Sequence, residues 1–175
     1  SYDKYRGFSM KLRNLEIKDA PLMLEWMHDK NVTSKLHRNF AAMKLEDCKK
    51  FIQSRISDEE NLHLAIVDDN DEYMGTVSLK DIHQEDRYAE FAITIRRAAM
   101  GKGYSSYGMH EIIRRGLEEL KLNAVYWCVA KDNLRAVKFY DKNDYQRVSE
   151  QDIPKELLEN YSPDLLDGFY WYKAV

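Results

Sequence analysis

Apolar residues alternate or recur at helical spacing along this chain, dividing it into a succession of short strands and helices. Lys11 to Ile17 alternates apolar and polar positions, the period of a half-buried strand. Asp19 then stands where an N-cap belongs, ahead of a helix from Ala20 through His28 carrying Leu22, Met23, Leu24, Trp26 and Met27. Val32 to Phe40 follows neither period and predicts an irregular stretch with a short helix and a loop. Leu45 to Ser57 returns to helical spacing through Phe51, Ile52 and Ile56. Leu62 to Val67 predicts a strand, Asp68-Asp69-Asn70-Asp71-Glu72 a turn, and Tyr73 to Leu79 the returning strand of an antiparallel hairpin. A further turn at Gln84-Glu85-Asp86 leads into a strand from Tyr88 to Ile95.

Beyond that strand the signals strengthen. Tyr104 to Leu120 predicts the longest helix, with Met109, Ile112, Ile113, Leu117 and Leu120 on one face. Ala124 to Val129 is a β-branched and aromatic run, the mark of a buried strand. Leu134 to Lys142 predicts a helix capped by Asn133, followed by a strand from Tyr145 to Val148. Pro154 to Asn160 predicts a short helix within a longer loop, and Gly168 to Val175 an aromatic terminal strand. The order predicts an α/β (α+β) fold, a mixed sheet with helices on its faces, in a single domain over residues 1–175. No internal repeat, linker or low-complexity tract interrupts it.

Composition narrows the partners. A net charge of −3 gives no general pull towards nucleic acid or anionic lipid. No apolar run approaches the ~20 residues of a membrane span, and the first ten residues lack the apolar block of a signal peptide. Cys48 and Cys128 stand far apart, without ligand-like spacing, and read as two reduced thiols of a cytoplasmic protein. No cluster of His, Cys, Asp or Glu has metal spacing, so no metal is expected. Twelve tyrosines and three tryptophans suit a protein that forms a cleft.

The segment with most chemistry is Ile93 through Ser106, a strand, a small-residue loop and a helix start. Such a loop presents consecutive N–H groups at the positive end of a helix dipole, a ready phosphate site. Gly101 and Gly103 lack a Cβ, so an anion can come close to the backbone. About thirty residues on comes Asn133-Leu134-Arg135-Ala136-Val137-Lys138-Phe139-Tyr140-Asp141-Lys142-Asn143-Asp144-Tyr145.

Together these segments resemble the GCN5-related N-acetyltransferase family, in the branch of ribosomal-protein alanine and spermidine acetyltransferases. The order of elements matches from Lys11 to Val175, and the motif evidence covers Tyr88 to Tyr145. Met100-Gly101-Lys102-Gly103-Tyr104-Ser105 falls on the family's Q/R-x-x-G-x-G/A loop. Met100 replaces its first polar residue and Ser105 its last small one. Asn133 through Tyr145 resembles N-x-x-A-x-x-x-Y-x-x-x-G-F, with Asp144 and Tyr145 at its end. Leu24 to Asp29 also resembles transferases that act on amino-sugar nucleotides.

The resemblance implies about seven mostly antiparallel strands, splayed between the fourth and fifth, with helices on both faces. It implies acetyl-CoA as cosubstrate, held across that splay. The pantetheine would lie along Ile93, Thr94 and Ile95, and the pyrophosphate on the N–H groups of Gly101, Lys102, Gly103, Tyr104, Ser105 and Ser106. Asn133 would face the pantetheine arm and Tyr140 would lie near the sulfur. The amine would arrive from the opposite side of the sheet.

Transfer to an amine needs a proton acceptor for the amine, a donor to the developing oxyanion and protonation of the departing thiolate. Tyr140 suits the last task, because a phenol's pKa of about 10 is near that of the thiolate. The alternative is a packed helix tyrosine. Some family members carry a Glu on the fifth strand, five residues before the motif asparagine; here that position is Cys128. Glu90 is then the candidate base, acting through water, against a solvated carboxylate on an alternating strand or deprotonation by solvent. Glu25 and His28 lie where the family often builds its acceptor pocket, or form a solvated helix face. His110 reads as structural. Arg96, Arg97 and Lys102 are phosphate partners or a solvated basic loop.

The leading reading is an acetyl-CoA-dependent N-acetyltransferase acting on a primary amine. Its acceptor would be a small molecule (polyamine or amino-sugar nucleotide) or a protein N-terminus, and a homodimer is allowed. The alternative is a module that binds acyl-CoA without turnover, suggested by Met100 and the absent fifth-strand Glu. An unrelated nucleotide fold is disfavoured, since neither G-x-x-x-x-G-K-[ST] nor G-x-G-x-x-G is present.

Overall fold

The computed structural model describes residues 10–34, 36 and 38–175. Positions 35 and 37 of the irregular segment lie outside the described residues. The strands are β1 (Lys11–Asn14), β2 (Leu62–Val67), β3 (Tyr73–His83), β4 (Tyr88–Ile95), β5 (Ala124–Ala130), β6 (Gln146–Val148) and β7 (Phe169–Ala174). The helices are α1 (Ala20–Met27), α2 (Lys30–Thr33), α3 (Leu45–Ser54), α4 (Tyr104–Arg114), α5 (Leu134–Lys142), α6 (Lys155–Leu158) and α7 (Pro163–Leu166).

The strands form one sheet in the order β1-β2-β3-β4-β5-β7-β6. Every neighbouring pair is antiparallel except β4 with β5. The mixed, mostly antiparallel seven-stranded sheet expected from the sequence is therefore the one observed.

Strand periodicity divides the core. On β2, Leu64 and Ile66 point to one face and Ala65 and Val67 to the other. The first face packs against α4 and α5 through Met109, Ile112, Trp127 and Val137. The second is covered by α1 and α3 through Met23, Trp26, Cys48 and Ile52. A smaller cluster on that side, beyond β5, joins Tyr88, Ile153, Leu157, Phe169 and Trp171. Gly108 lets α4 lie close on the sheet, since a Cβ there would meet Ile66 Cδ1 at 2.5 Å.

Several predicted boundaries shift for identifiable reasons. β1 stops at Asn14, and Ile17–Asp19 forms a 3₁₀ turn, because Asp19 folds back on the strand. Asp19 is not the side-chain cap of α1. Its carboxylate accepts from the Glu16 N–H at 2.8 Å and from two Arg13 nitrogens at 2.8 Å each. Only 2% exposed, it needs those donors. Ile56 lies in a 3₁₀ turn after α3 and is 79% exposed, outside the apolar face assigned to it. The long helix is α-helical only to Arg114 and continues as a π-turn over Arg115–Glu119, which turns Leu120 towards solvent. β3 runs to His83, four residues beyond its predicted end. In contrast, β2, β4 and α5 have the predicted bounds.

Candidate active site

The sheet opens where its one parallel pair ends. β4 and β5 pair through Tyr88–Ala124, Ala89–Val125 and Glu90–Tyr126, and no further. From Phe91 to Ile95, β4 is paired only with β3. From Trp127 to Ala130, β5 is paired only with β7. The backbone edge of β4 thus faces a gap instead of a strand, and a cavity of about 610 Å³ occupies it. Ile93, Thr94, Asn133, Tyr140 and Glu90 all line that cavity, as does Cys128. Ile95 is not among its lining residues; it lies further along the strand, opposite Gly75.

Glu90 stands on the last rung before the gap. It is 3% exposed, so the reading as a solvated outer-face carboxylate does not hold. Burial raises its pKa above the usual carboxylate range, against the opposing pulls of Lys80 and the Tyr161 hydroxyl. Lys80 is its cross-strand partner on β3, with Nζ 3.6 Å from Oε1. The Tyr161 hydroxyl donates to Oε2. Cys128 lies nearby on β5, and burial pushes its thiol up to about 12, so it stays protonated at neutral pH.

Tyr140 enters the same cavity from α5, on the opposite sheet face. Its ring lies among Trp127, Phe139, Tyr145 and Tyr172, at centroid distances of 5.0 to 6.3 Å. Among the described residues its hydroxyl has no hydrogen-bond partner. Burial raises the phenol above its ordinary pKa, which keeps it a proton donor. Asn133 caps α5 as expected, its Oδ1 accepting from the Ala136 N–H at 3.4 Å, which leaves its Nδ2 donors for other partners.

The glycine loop lies beyond Ile95, ahead of α4. Gly101 has φ 76° and Gly103, at the N-cap, has φ 90°. Both angles are in the left-handed region that strains any residue with a Cβ. The first helical hydrogen bond runs from the Tyr107 N–H to the Gly103 carbonyl at 3.0 Å. The N–H groups of Tyr104, Ser105 and Ser106 precede it and project at the positive end of an 11-residue helix. Lys102 is exposed on this loop.

The other basic loop residues are paired with carboxylates. Arg96 is tied to Glu25 at 2.9 and 3.1 Å and to Glu72 at 3.3 Å. Arg97 grips Asp29 at 2.6 and 2.9 Å. These pairs pin the end of β4 to the α1 side of the sheet. His28 shares a 2.8 Å hydrogen bond with the Met43 carbonyl. His110 is structural: its Nδ1 lies 2.7 Å from the Ser106 carbonyl oxygen and its ring is tilted against Tyr145. Among the described residues no group of His, Cys, Asp and Glu could hold a metal.

Lys80, Tyr161 and Arg38 are among the lining residues that escape sequence reasoning. Lys80 lies past the predicted end of β3, where the alternating pattern breaks. Tyr161 and Arg38 come from irregular segments whose pattern gives no indication of a site.

The arrangement suits a long cosubstrate with an anionic end. It offers an unpaired strand edge for amide groups and a helix N-terminus for phosphate. Comparison with known proteins places the chain among the acetyltransferases. A family model described as an acetyltransferase (GNAT) domain matches residues 9–146, and the chain belongs to that family. An uncharacterized N-acetyltransferase, p20, from Bacillus licheniformis is 26% identical over 143 residues, covering 79% of each chain. Among solved structures, spermidine N-acetyltransferase from Vibrio cholerae, in complex with CoA and spermine, shares the fold. Its TM-score is 0.73 at 23% identity, over 81% of this chain and 83% of that one. A dodecameric form of that enzyme in an intermediate state gives a TM-score of 0.72 at 19% identity, over 95% and 94%. The chain is an N-acetyltransferase that uses acetyl-CoA. No helix of the described residues is long and apolar enough to cross a membrane.

Proposed function

We propose that the chain is one acetyltransferase domain that acetylates a primary amine of a small molecule or peptide terminus, with Glu90 and Tyr140 moving the protons. The observation that carries this reading is their placement. A buried carboxylate and a half-buried phenol line one cavity from opposite faces of the sheet, at the point where β4 and β5 part.

Acetyl-CoA supplies the acetyl thioester when bound. Gly101 to Ser106 would hold its diphosphate by backbone N–H groups, and the free edge of β4 from Ile93 to Ile95 would pair with its amides. The Asn133 Nδ2 donors would meet the same arm. Glu90 takes the proton of the incoming amine, directly or through water. Its raised pKa makes it a stronger base than an ordinary carboxylate once ionised. The Tyr161 hydroxyl and Lys80 keep its carboxylate oriented. Tyr140 holds its proton at Oη for the departing sulfur. Cys128, as a neutral thiol, replaces no base.

Polyamines, the substrates named for the Vibrio cholerae enzyme, amino-sugar nucleotides and peptide N-termini all present such an amine. The test is release of CoA from acetyl-CoA with a panel of these amines. Wild-type protein should release CoA only when an acceptor is present, and both Glu90→Gln and Tyr140→Phe should slow it while retaining acetyl-CoA binding. Turnover unchanged in both variants would overturn the assignment. Cofactor binding without release for any amine would favour a non-catalytic acyl-CoA module.

A further inference from the structure

We propose that the acceptor carries an anionic group, a carboxylate or a phosphate, besides its amine, and that Arg38 and Lys30 receive it. This rests on the reading of the gap as the transfer site and names the class of molecule that enters from the α1–α3 side.

The evidence is a second compartment. A cavity of about 370 Å³ lies against α1 and α2 and shares Leu36, Arg38 and Phe40 with the cavity that holds Glu90. Its polar lining is Lys30, Arg38, His28, Thr33 and Asn39, and no carboxylate lines it among the described residues. An acceptor with its amine at Glu90 can therefore extend past Arg38 into surroundings of positive charge and neutral donors.

Arg38 differs from most arginines of this chain. Arg13, Arg96, Arg97, Arg114 and Arg147 each grip a carboxylate. Among the described residues Arg38 has no carboxylate partner; its guanidinium lies 5.2 Å from the Phe40 ring centroid. Stacking of this kind holds the planar fork while leaving its N–H donors free for a planar or tetrahedral anion. Asp47 lines a third cavity that also reaches Arg38, but among the described residues the two form no ion pair, and Asp47 does not line the cavity that holds Lys30. Lys30 has no ion pair among the described residues. Two cations without ion pairs among the described residues, at the far end of an acceptor path, disfavour the second ammonium of a polyamine and favour an anion.

The experiment uses the full chain, acetyl-CoA and matched acceptors: glucosamine against glucosamine 6-phosphate, an alanyl dipeptide amide against the free dipeptide, and spermidine. The phosphate or carboxylate member should show kcat/KM about tenfold above its neutral partner, the scale of one charge-assisted contact. Which pair shows the larger ratio distinguishes phosphate from carboxylate. Arg38→Gln should bring the ratio towards one, Arg38→Lys should restore part of it, and added salt should shrink it. Thermal melting checks that the variants fold.

Preference for spermidine over every anionic acceptor would overturn the proposal, as would a ratio unmoved by Arg38→Gln. Calorimetric titration of the same pairs into wild-type and Glu90→Gln protein reads the preference without chemistry. Tighter binding of an anionic member, weakened by Arg38→Gln, would uphold the anion site even if no amine turned over and the catalytic reading failed. Equal binding within both pairs would sink the anion site while leaving that reading intact.

Discussion

The two walls of the gap are built from different materials. On the cosubstrate wall the groups on offer are mostly backbone: the free edge of β4, the N–H groups ahead of α4 and the cap of α5. On the acceptor wall they are side chains from segments far apart in sequence: Arg38, Lys80, Glu90 and Tyr161. Backbone geometry is specified by its own residues, so one wall accepts the same ligand with little dependence on distant sequence. A wall of side chains can be re-chosen one position at a time, and there specificity resides. The comparison predicts that substitutions on the acceptor wall change chemistry and selectivity, whereas those of the backbone-supplied groups on the cosubstrate wall change affinity or stability. Tyr140, a side chain of α5 turned into the cavity, is the one cosubstrate-side residue proposed to act in the chemistry.

Glu90→Gln is the sharpest way to break that division. Loss of a positioned base should lower kcat/KM by about 10²–10⁴-fold, with KM for acetyl-CoA nearly constant. Wild-type activity should rise with pH through a limb above the ordinary carboxylate range, because burial raises the Glu90 pKa, and the variant should lose that limb. Stability should move the other way. The native state holds the Glu90 proton more tightly than the unfolded chain does. Its stabilising contribution is complete below the unfolded pKa and lost as pH rises through the native one. Glu90→Gln should therefore melt higher than wild type at neutral pH, with the difference closing on acidification. A variant less stable at neutral pH would mean that the Lys80 and Tyr161 contacts outweigh burial.

Tyr140→Phe comes next in size. It removes one hydroxyl that has no hydrogen-bond partner among the described residues, and keeps a ring packed against Trp127, Tyr145 and Tyr172. Turnover should fall by about 10²-fold without a comparable loss of stability. A pre-steady-state burst would locate the loss at chemistry or at product release.

The same division explains what could be read from the sequence. β4, α5 and the Asn133 cap had their bounds legible because period, caps and turn residues are local signals. The glycine loop was legible for the same reason, since a left-handed φ at Gly101 and Gly103 calls for that residue type. Glu90 was legible as a candidate, but not its burial, which depends on Tyr161 and Lys80 arriving from elsewhere. The mutual pairing of Arg96 and Glu25 is not legible, because an ion pair across 71 residues has no local trace. Lys80 is not legible because β3 continues past Leu79 into a register shift between Lys80 and His83, where the alternating pattern breaks. Asp19 holds the N-cap position that the sequence predicts, but not its side-chain role, because the guanidinium that claims its carboxylate lies on the preceding strand.

Gly103→Val tests the backbone wall directly. At φ 90° a β-branched residue costs about 1–3 kcal/mol, so the loop should relax and its N–H groups lose their common direction. KM for acetyl-CoA should rise by about tenfold, the fold-change that corresponds to 1.4 kcal/mol. The relative order of acceptors should stay the same. Acetyl-CoA affinity equal to wild type would remove the phosphate site from this loop, and a changed acceptor order would show that the two walls are coupled.

The smallest effect separates a cap from a ligand contact at one residue. Asn133 accepts the Ala136 N–H, so Asn133→Ala should destabilise the chain by about 1 kcal/mol, read as a lower denaturation midpoint. Alanine also removes the amide donors proposed for the pantetheine arm, so that variant alone confounds two roles. Asn133→Ser keeps an oxygen that caps about as well as asparagine, adds no charge and removes the Nδ2 donors. Stability close to wild type with a raised KM for acetyl-CoA would assign the donors to the cosubstrate. If both remain unchanged, Asn133 serves α5 alone, and the cosubstrate wall depends on main-chain groups even more completely than proposed.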